Sequence, residues 1–317
     1  MQYIYGTADV TRHKESVVVL GNFDGVHKGH QKLFEVAKNE ANILGLETII
    51  FSFYPHPTWV IGKNRKSLLM SRRDKKQMIE YLNLDVLIEY PFTKAFARIS
   101  PEEFFTKILI DKLKARVLIV GSNYYFGREK AGNPESLKQL GKQYGVKVHV
   151  VEAVMIEEQM ISSSKIRNLI LEGKIEEANS MLGHPYLVVG KVVQGKMLGR
   201  TIGFPTINLI ADPDRVYPPN GVYATKIKVF SKTYLGMTNI GFNPTVSGER
   251  KMIETHIFDL DQILYGEDVE IYFYRFIRLE KKFESIEALK SQIISDKKQI
   301  QHFFKESLNE IAKEQKM

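Results

Sequence analysis

His27 and His30 stand three residues apart inside Leu20-Gly21-Asn22-Phe23-Asp24-Gly25-Val26-His27-Lys28-Gly29-His30. At that spacing two imidazoles share one face of a first helical turn. Placed there, they can donate hydrogen bonds to a phosphate whose negative charge grows in a transition state. The flanks suit such a turn. Val17-Val18-Val19-Leu20 reads as a buried strand, and Gln31 to Leu44 carries Leu33, Phe34, Ala37, Ala41 and Leu44 at helical spacing. A strand that passes through glycines into a helix exposes free backbone N–H groups, a ready phosphate site. Zinc is a competing use of two histidines. The chain has no cysteine, and no nearby third histidine or carboxylate completes a ligand set. A glycine-rich turn with solvated histidines is the other reading of the segment taken alone.

Further segments could share that chemistry. In Phe53-Tyr54-Pro55-His56-Pro57, Pro55 and Pro57 stiffen a turn at a strand's C-terminal edge, where ligands bind in open α/β sheets. A plain rigid loop accounts for it equally well. Val120-Gly121-Ser122-Asn123-Tyr124-Tyr125-Phe126-Gly127 adds the Asn123 amide and an aromatic patch, though aromatics are more often core. Ile161-Ser162-Ser163-Ser164-Lys165-Ile166-Arg167 opens a helix with hydroxyls, free N–H groups and two cations, a composition suited to gripping a triphosphate. A simple N-cap explains one serine more readily than three.

The second half carries a different set. Gly190 to Asn208 is dense in glycine but lacks Gly-x4-Gly-Lys-Ser/Thr, so it is not a P-loop. Gly195, Gly199 and Gly203 let backbone wrap a phosphate. Thr206 and Asn208 alternate onto one face of an extended segment, where a hydroxyl and an amide can complete a Mg²⁺–phosphate shell. A glycine-rich loop joining strands is the alternative. Glu254, without context, is a surface glutamate on a strand.

The elements that must position these residues fall into two textures. Up to residue 183, Thr48 to Phe53, Asp85 to Ile88, Arg116 to Val120 and Val146 to Val151 read as strands between helices. Ser100-Pro101-Glu102-Glu103 is a capping box opening a helix to Leu113, and Asn133-Pro134-Glu135 opens another. This predicts an α/β domain with a Rossmann-like parallel sheet over 1–183. From Tyr186 to Arg278 short β-rich runs are broken by Gly, Pro and Asn, which predicts a small antiparallel β-barrel over 184–317. An amphipathic helix, Ile286 to Ile311, closes the chain. The boundary falls at Gly183-His184-Pro185.

Composition narrows the function. The 317 residues suffice for two domains, and the net charge of +8 is spread over both halves. This suits anionic small molecules such as nucleotides. No nucleic-acid motif and no membrane-length apolar stretch is present. Lys63 to Lys66 and Arg72 to Lys76 form a basic run that reads as a solvated loop and helix face. Absent cysteines and the lack of an apolar leader fit a cytoplasmic location. Oligomeric state is not legible.

Taken in order, Gly-x-Phe-Asp-Gly-x-His-x-Gly-His, Pro-His-Pro, Gly-x-Asn-aromatic-x-Phe-Gly and Ile-Ser-Ser-Ser-x-Ile-Arg resemble the adenylyltransferase domain of the bacterial bifunctional riboflavin kinase/FAD synthetase family. Phe204-Pro205-Thr206-x-Asn208, Gly221-Val222-Tyr223-Ala224, Asn239 to Thr245 and Glu254-Thr255-His256-Ile257-Phe258-Asp259 resemble its kinase domain. The resemblance covers nearly the whole chain. It implies that His27 and His30 stabilise the α-phosphate of ATP while FMN attacks. It implies that Gly21, Phe23 and Asp24 shape the ATP pocket, Asn123 holds phosphate, and Ser163, Ser164 and Arg167 grip pyrophosphate. Phe126 is expected to stack near the flavin, beside Pro55 and Pro57. In the kinase half it implies that Thr206 and Asn208 bind Mg²⁺-ATP, Glu254 is the base toward the ribityl hydroxyl, and Arg278 lies near the flavin. The substrates and products are then ATP, riboflavin, FMN and FAD. Met160 stands where relatives often carry Arg or Lys, and Lys196, Leu198 and Ile207 also depart from the pattern. A monofunctional FAD synthetase with an inactive barrel, or a flavin storage or regulatory protein, would keep the fold without one or both activities. Intact His27, His30, Thr206, Asn208 and Glu254 argue against both.

Overall fold

The computed structural model describes residues 1–62, 65–195, 198–245 and 248–314. Lys63, Asn64 and Lys196 lie outside the described residues. The chain forms two compact units, Met1–Lys165 and Ile166–Met317.

In the first unit six strands form one parallel sheet: β1 Gln2–Tyr5, β2 Ser16–Leu20, β3 Glu47–Tyr54, β4 Val86–Pro91, β5 Ala115–Gly121 and β6 Lys147–Val151. Their order is β1-β4-β3-β2-β5-β6. Every residue of β2 is buried, which is why it reads as an unbroken apolar run: helices cover both faces of a parallel sheet. Helix α1, Lys28–Leu44, buries Leu33, Phe34, Ala37 and Ala41 and stops at Gly45, left-handed at φ 66°. Short α2, Pro57–Ile61, follows β3. Helix α3, Arg72–Tyr81, opens with a reciprocal capping box between Ser71 and Asp74. Helix α4, Pro101–Glu103, is capped by Ser100 and passes into π winding over Phe104–Lys112, which burial at 104, 105, 108 and 109 alone does not announce. Helix α5, Pro134–Tyr144, has Asn133 as its cap. A small hairpin, β7 Met155–Ile156 with β8 Gln159–Met160, leaves Met160 exposed. The strand order reverses at β2: β3 and β4 lie on one side, β5 and β6 on the other. The crevice at the C-terminal end of β2 is therefore the fold's natural ligand site.

In the second unit β9 Tyr186–Lys191, β10 Ile207–Ile210, β11 Gly221–Val229, β12 Lys232–Thr245, β13 Gly248–Ile257 and β14 Asp268–Leu279 form an antiparallel sheet ordered β10-β13-β12-β11-β14-β9. Val193 N–H donates to the Asn208 carbonyl at 2.9 Å. That bond joins the chain leaving β9 to β10 at the opposite edge, so the sheet curls into a small barrel. A ladder of buried hydroxyls, Thr225 to Thr238 to Thr255 with 2.9 Å links, crosses its strands. The last long helix lays Ile300 and Phe304 on Val222, Ala224, Met237 and Phe258.

The change of texture at Gly183-His184-Pro185 is where helix gives way to β9. The contacts divide the chain earlier, after Lys165. The segment between holds most of α6, Ser163–Leu171, and α7, Ile175–Leu182. Asn179 of α7 explains why this helix goes with the barrel. Its amide donates to the Phe273 carbonyl and accepts from Tyr186 N–H, both at 2.8 Å. Asn179→Ala removes both bonds, and the loss should be about 1–3 kcal/mol. Urea unfolding should show it as a lower midpoint for the second unit; an unchanged midpoint would mean that α7 is not held there.

Candidate active sites

Between β2 and α1 the backbone takes left-handed values at Phe23 (φ 55°), Gly25 (φ 90°) and Val26 (φ 44°). Such values are costly for Phe and Val. Both side chains are fully buried, so core packing maintains the turn. Gly21 is required sterically: a Cβ there would lie 2.8 Å from the Phe23 ring. The turn delivers His27 as the N-cap of α1, its Nδ1 accepting from His30 N–H at 3.3 Å. A neutral His27 therefore carries its proton on Nε2. The two rings stack with centroids 3.6 Å apart and planes 16° apart. Phe23 meets His30 edge-on at 5.3 Å. Nδ1 of His30 is buried without a partner. Burial first, then the charges of His27 and Lys75, hold His30 well below the usual histidine range.

The other first-unit residues gather at the same sheet edge. Asp24 points inward, and its carboxylate accepts from Leu69 N–H at 2.8 Å and Met70 N–H at 3.2 Å. It shapes the site by latching the segment before α3. The serine run divides its labour. Ser162 accepts from Lys165 N–H at 3.3 Å as a cap, Ser163 donates to the Asp24 carbonyl at 2.8 Å, and Ser164 is exposed. Arg167 lies one turn on in α6 and belongs to the second unit. Asn123 is exposed just past β5. Pro55 and Pro57 follow β3, with His56 capping α2. Phe126 is buried between Phe104 and Tyr124, with little surface left to stack on a ligand.

The basic run is not simply a solvated face. Asp74 is fully buried. Lys75 Nζ lies 2.7 Å from Glu89 Oε1, and both side chains are nearly dry. Arg72 sits 3.5 Å over the Tyr5 ring. Asp74 and Lys75 are turned inward by capping and pairing, while Arg72 and Arg73 stay exposed, and a charge count gave no sign of the difference.

In the second unit the register does the assembling. Asn208 pairs with Glu254, and Glu254 pairs with Asn239, so the three share one face of adjacent strands. Asn208 is buried, and its Oδ1 has no partner. Gly195 packs over it: a Cβ would stand 2.3 Å from the Asn208 amide nitrogen. A buried amide oxygen without a partner, with Thr206 two residues back, fits a hard, oxygen-seeking cation such as Mg²⁺. Gly199 admits the Phe204 carbonyl and Gly203 (φ 86°) ends the turn α8, Leu198–Thr201, so these glycines shape the loop's own path. Ile207 pairs with Thr255, on the opposite face from Asn208. Arg278 is engaged, its guanidinium bound to both oxygens of buried Asp296 at 2.8–3.1 Å. Sequence reasoning missed a shallow cleft, open to solvent, lined by Arg200, Pro205, Thr206, Thr255, Leu260 and Tyr265. Its far wall comes from a loop with no motif.

The chain matches the FAD synthetase family over residues 9–165 and the riboflavin kinase family over residues 182–304. It is 37% identical over 301 residues to the bifunctional riboflavin kinase/FMN adenylyltransferase of Listeria monocytogenes, covering 94% of this chain and 95% of that one. It is 38% identical over 296 residues to the Bacillus subtilis protein of the same name, covering 92% and 93%. A crystal structure titled macrolide-efflux protein, from Streptococcus pneumoniae, superposes with a TM-score of 0.83 at 33% identity, covering 93% of this chain and 97% of that one. Among the described residues no helix is long and apolar enough to cross a membrane. The chain belongs to the bifunctional riboflavin kinase/FMN adenylyltransferase family.

The depressed His30 sets a sign for pH. An unfolded His30 binds a proton below about pH 6.5, whereas the folded one resists it, so the first unit loses stability as pH falls through that value. His30→Gln, uncharged in both states, should flatten the change in melting temperature between pH 7 and pH 5. An equal change in both proteins would rule His30 out as its source.

Proposed function

We propose that the second unit phosphorylates riboflavin to FMN and that the first unit adenylylates FMN to FAD, each drawing on ATP. The observation that carries this is that each sheet gathers a motif set at one edge: the histidine turn, Pro55 and Asn123 follow β2, β3 and β5, while Asn208, Glu254 and Asn239 are paired neighbours on β10, β13 and β12. The working division is 1–183 for adenylyl transfer and 184–317 for the kinase, with α7 a connector packed on the barrel.

In adenylyl transfer an FMN phosphate oxygen attacks the α-phosphorus of ATP, the bond from that phosphorus to the bridging oxygen breaks, and pyrophosphate leaves. The nucleophile is already ionised at neutral pH, so the protein's task is placement and charge stabilisation. His27 donates from Nε2 to the α-phosphate, and His30, stacked on it, borders the same oxygens. The exposed Ser164 hydroxyl and the free N–H groups of its helix end take the pyrophosphate. Asn123 holds phosphate from the β5 side. Pro55 and Pro57 border the flavin, and buried Phe126 backs that wall. Exposed Met160 supplies no cation, which predicts a weaker grip on ATP.

In the kinase, Glu254 accepts the proton of the ribityl 5′-hydroxyl as that oxygen attacks the γ-phosphorus and ADP departs. A carboxylate suffices because phosphoryl transfer depends on an oriented hydroxyl more than on a strong base. Thr206 and Asn208 hold the magnesium of Mg²⁺-ATP, which neutralises phosphate charge when bound. The cleft between Thr206 and Tyr265 receives the adenosine. Arg278 fixes the last helix through Asp296, and that helix borders the flavin side.

The test is to incubate pure protein with riboflavin, Mg²⁺ and ATP and to follow FMN and FAD by chromatography. His30→Ala should lose about 10²–10³-fold in FAD formation while FMN accumulates. Glu254→Gln should lose about 10²–10⁴-fold in riboflavin phosphorylation and keep FAD synthesis from supplied FMN. Parallel loss of both activities in either variant would sink the two-site reading.

A further inference from the structure

Lys75 is a charged group that neither reaction uses, set directly against the histidine turn. Its side chain keeps 12% of its exposure and that of its partner Glu89 keeps 1%. An ammonium so dry persists only when its charge is compensated, and here an ion pair and two hydrogen bonds do so. It meets Glu89 Oε1 at 2.7 Å, the Ser52 hydroxyl at 3.2 Å and the Asn22 carbonyl at 3.4 Å. Glu89 is held in turn by the Tyr3 hydroxyl, which donates to its other oxygen at 2.5 Å. The ammonium is thus tied to β3 and β4, with β1 behind. These three contacts turn the ammonium toward the fold.

What it holds is the peptide plane where the turn begins. The Asn22 carbonyl belongs to the peptide that leads into Phe23, whose φ of 55° starts the left-handed stretch. Ser52 donates to the same carbonyl at 3.2 Å. Two residues on, Asp24 is latched by Leu69 and Met70, in the segment that leads into α3. The chain around the start of α3 therefore grips the turn on both flanks of Phe23. His27 and His30 follow within one helical turn, so the orientation of this peptide is passed to the imidazoles.

We propose that Lys75 is a positioning residue for adenylyl transfer: it fixes the Asn22 carbonyl and, through it, the turn that presents His27 and His30. This rests on that turn being the adenylyl-transfer site. A misplacement on the scale of 1 Å costs about 10²-fold in rate, and it falls mainly on kcat, because the imidazoles meet charge on the α-phosphate that grows in the transition state.

The experiment measures FAD formation from FMN and ATP, riboflavin phosphorylation and melting temperature in wild type, Lys75→Met, Lys75→Met/Glu89→Gln and His30→Ala. The single Lys75 variant strands a buried carboxylate, so it should lose stability as well as rate. The double variant removes both charges and should regain most of the melting temperature. The expected result is a fall in kcat for FAD formation of about 10²-fold in both Lys75 variants. Their KM for ATP and FMN should shift less than about threefold, with riboflavin phosphorylation unchanged. A double variant that recovers kcat together with stability overturns the proposal, as does a loss confined to KM or an equal fall in both activities. Wild-type FAD formation in His30→Ala would overturn the site assignment itself; loss in His30→Ala with none in the Lys75 variants would overturn only the role of Lys75.

Discussion

The left-handed turn from Phe23 to Val26 is the constraint on which the first unit depends. A left-handed backbone at a phenylalanine and a valine costs free energy that local sequence does not return. The return comes from outside the turn. Burial of the Phe23 and Val26 side chains supplies part of it, and the hydrogen bonds from Leu69, Met70 and Ser163 supply more. Because those partners come from distant parts of the chain, the turn exists only when the unit is folded. The stacked imidazoles are a consequence. Left to themselves they would separate into solvent; here the backbone bond from His30 N–H to His27 Nδ1 sets one ring and the α1 helix sets the other.

The second unit solves the same problem with register instead of strain. Asn208, Glu254 and Asn239 lie far apart in sequence, and one pairing register aligns them. A slip of one residue would turn all three to the other face. The buried threonine ladder works against such a slip, since Thr238 and Thr255 meet only in this register. On the proposed function, the unsatisfied Asn208 oxygen marks the cation site. A buried amide oxygen without a partner costs free energy, and a cation that takes it up returns that cost on binding.

Several features were legible in sequence because burial there has a simple pattern. The fully covered parallel strands appear as apolar runs, α1 shows its period, and Ser100 and Asn133 mark helix starts by their types. The histidine pair was legible through its spacing. What escaped notice depends on partners remote in sequence. Strand β1 is short and half exposed, so nothing in Gln2–Tyr5 sets it apart. The π winding at Phe104–Lys112 buries a set of positions that an α-helix would bury too. Lys75 sits among charges and counts as solvated until Glu89, Ser52 and Asn22 are brought to it. The placement of α7 turns on two bonds of Asn179, which no texture of composition records. The serine run reads in sequence as a phosphate grip, whereas two of its hydroxyls serve the fold.

Both sites reduce to the same physical task. Neither reaction needs the protein to form a covalent bond, and the chain has no cysteine to offer one. Each needs phosphate oxygens held against donors that are already oriented before substrate arrives. An oriented donor in a partly dry site is worth more than the same donor in water, but it must be paid for in folding stability. The first unit meets that cost with buried aromatic packing around a strained turn. The second meets it with an antiparallel sheet whose register is locked from the opposite face. Each solution is internal to its own unit: the histidine turn is held by Leu69, Met70 and Ser163 of the first, and Glu254 by the pairing of β13 with β10 and β12 in the second.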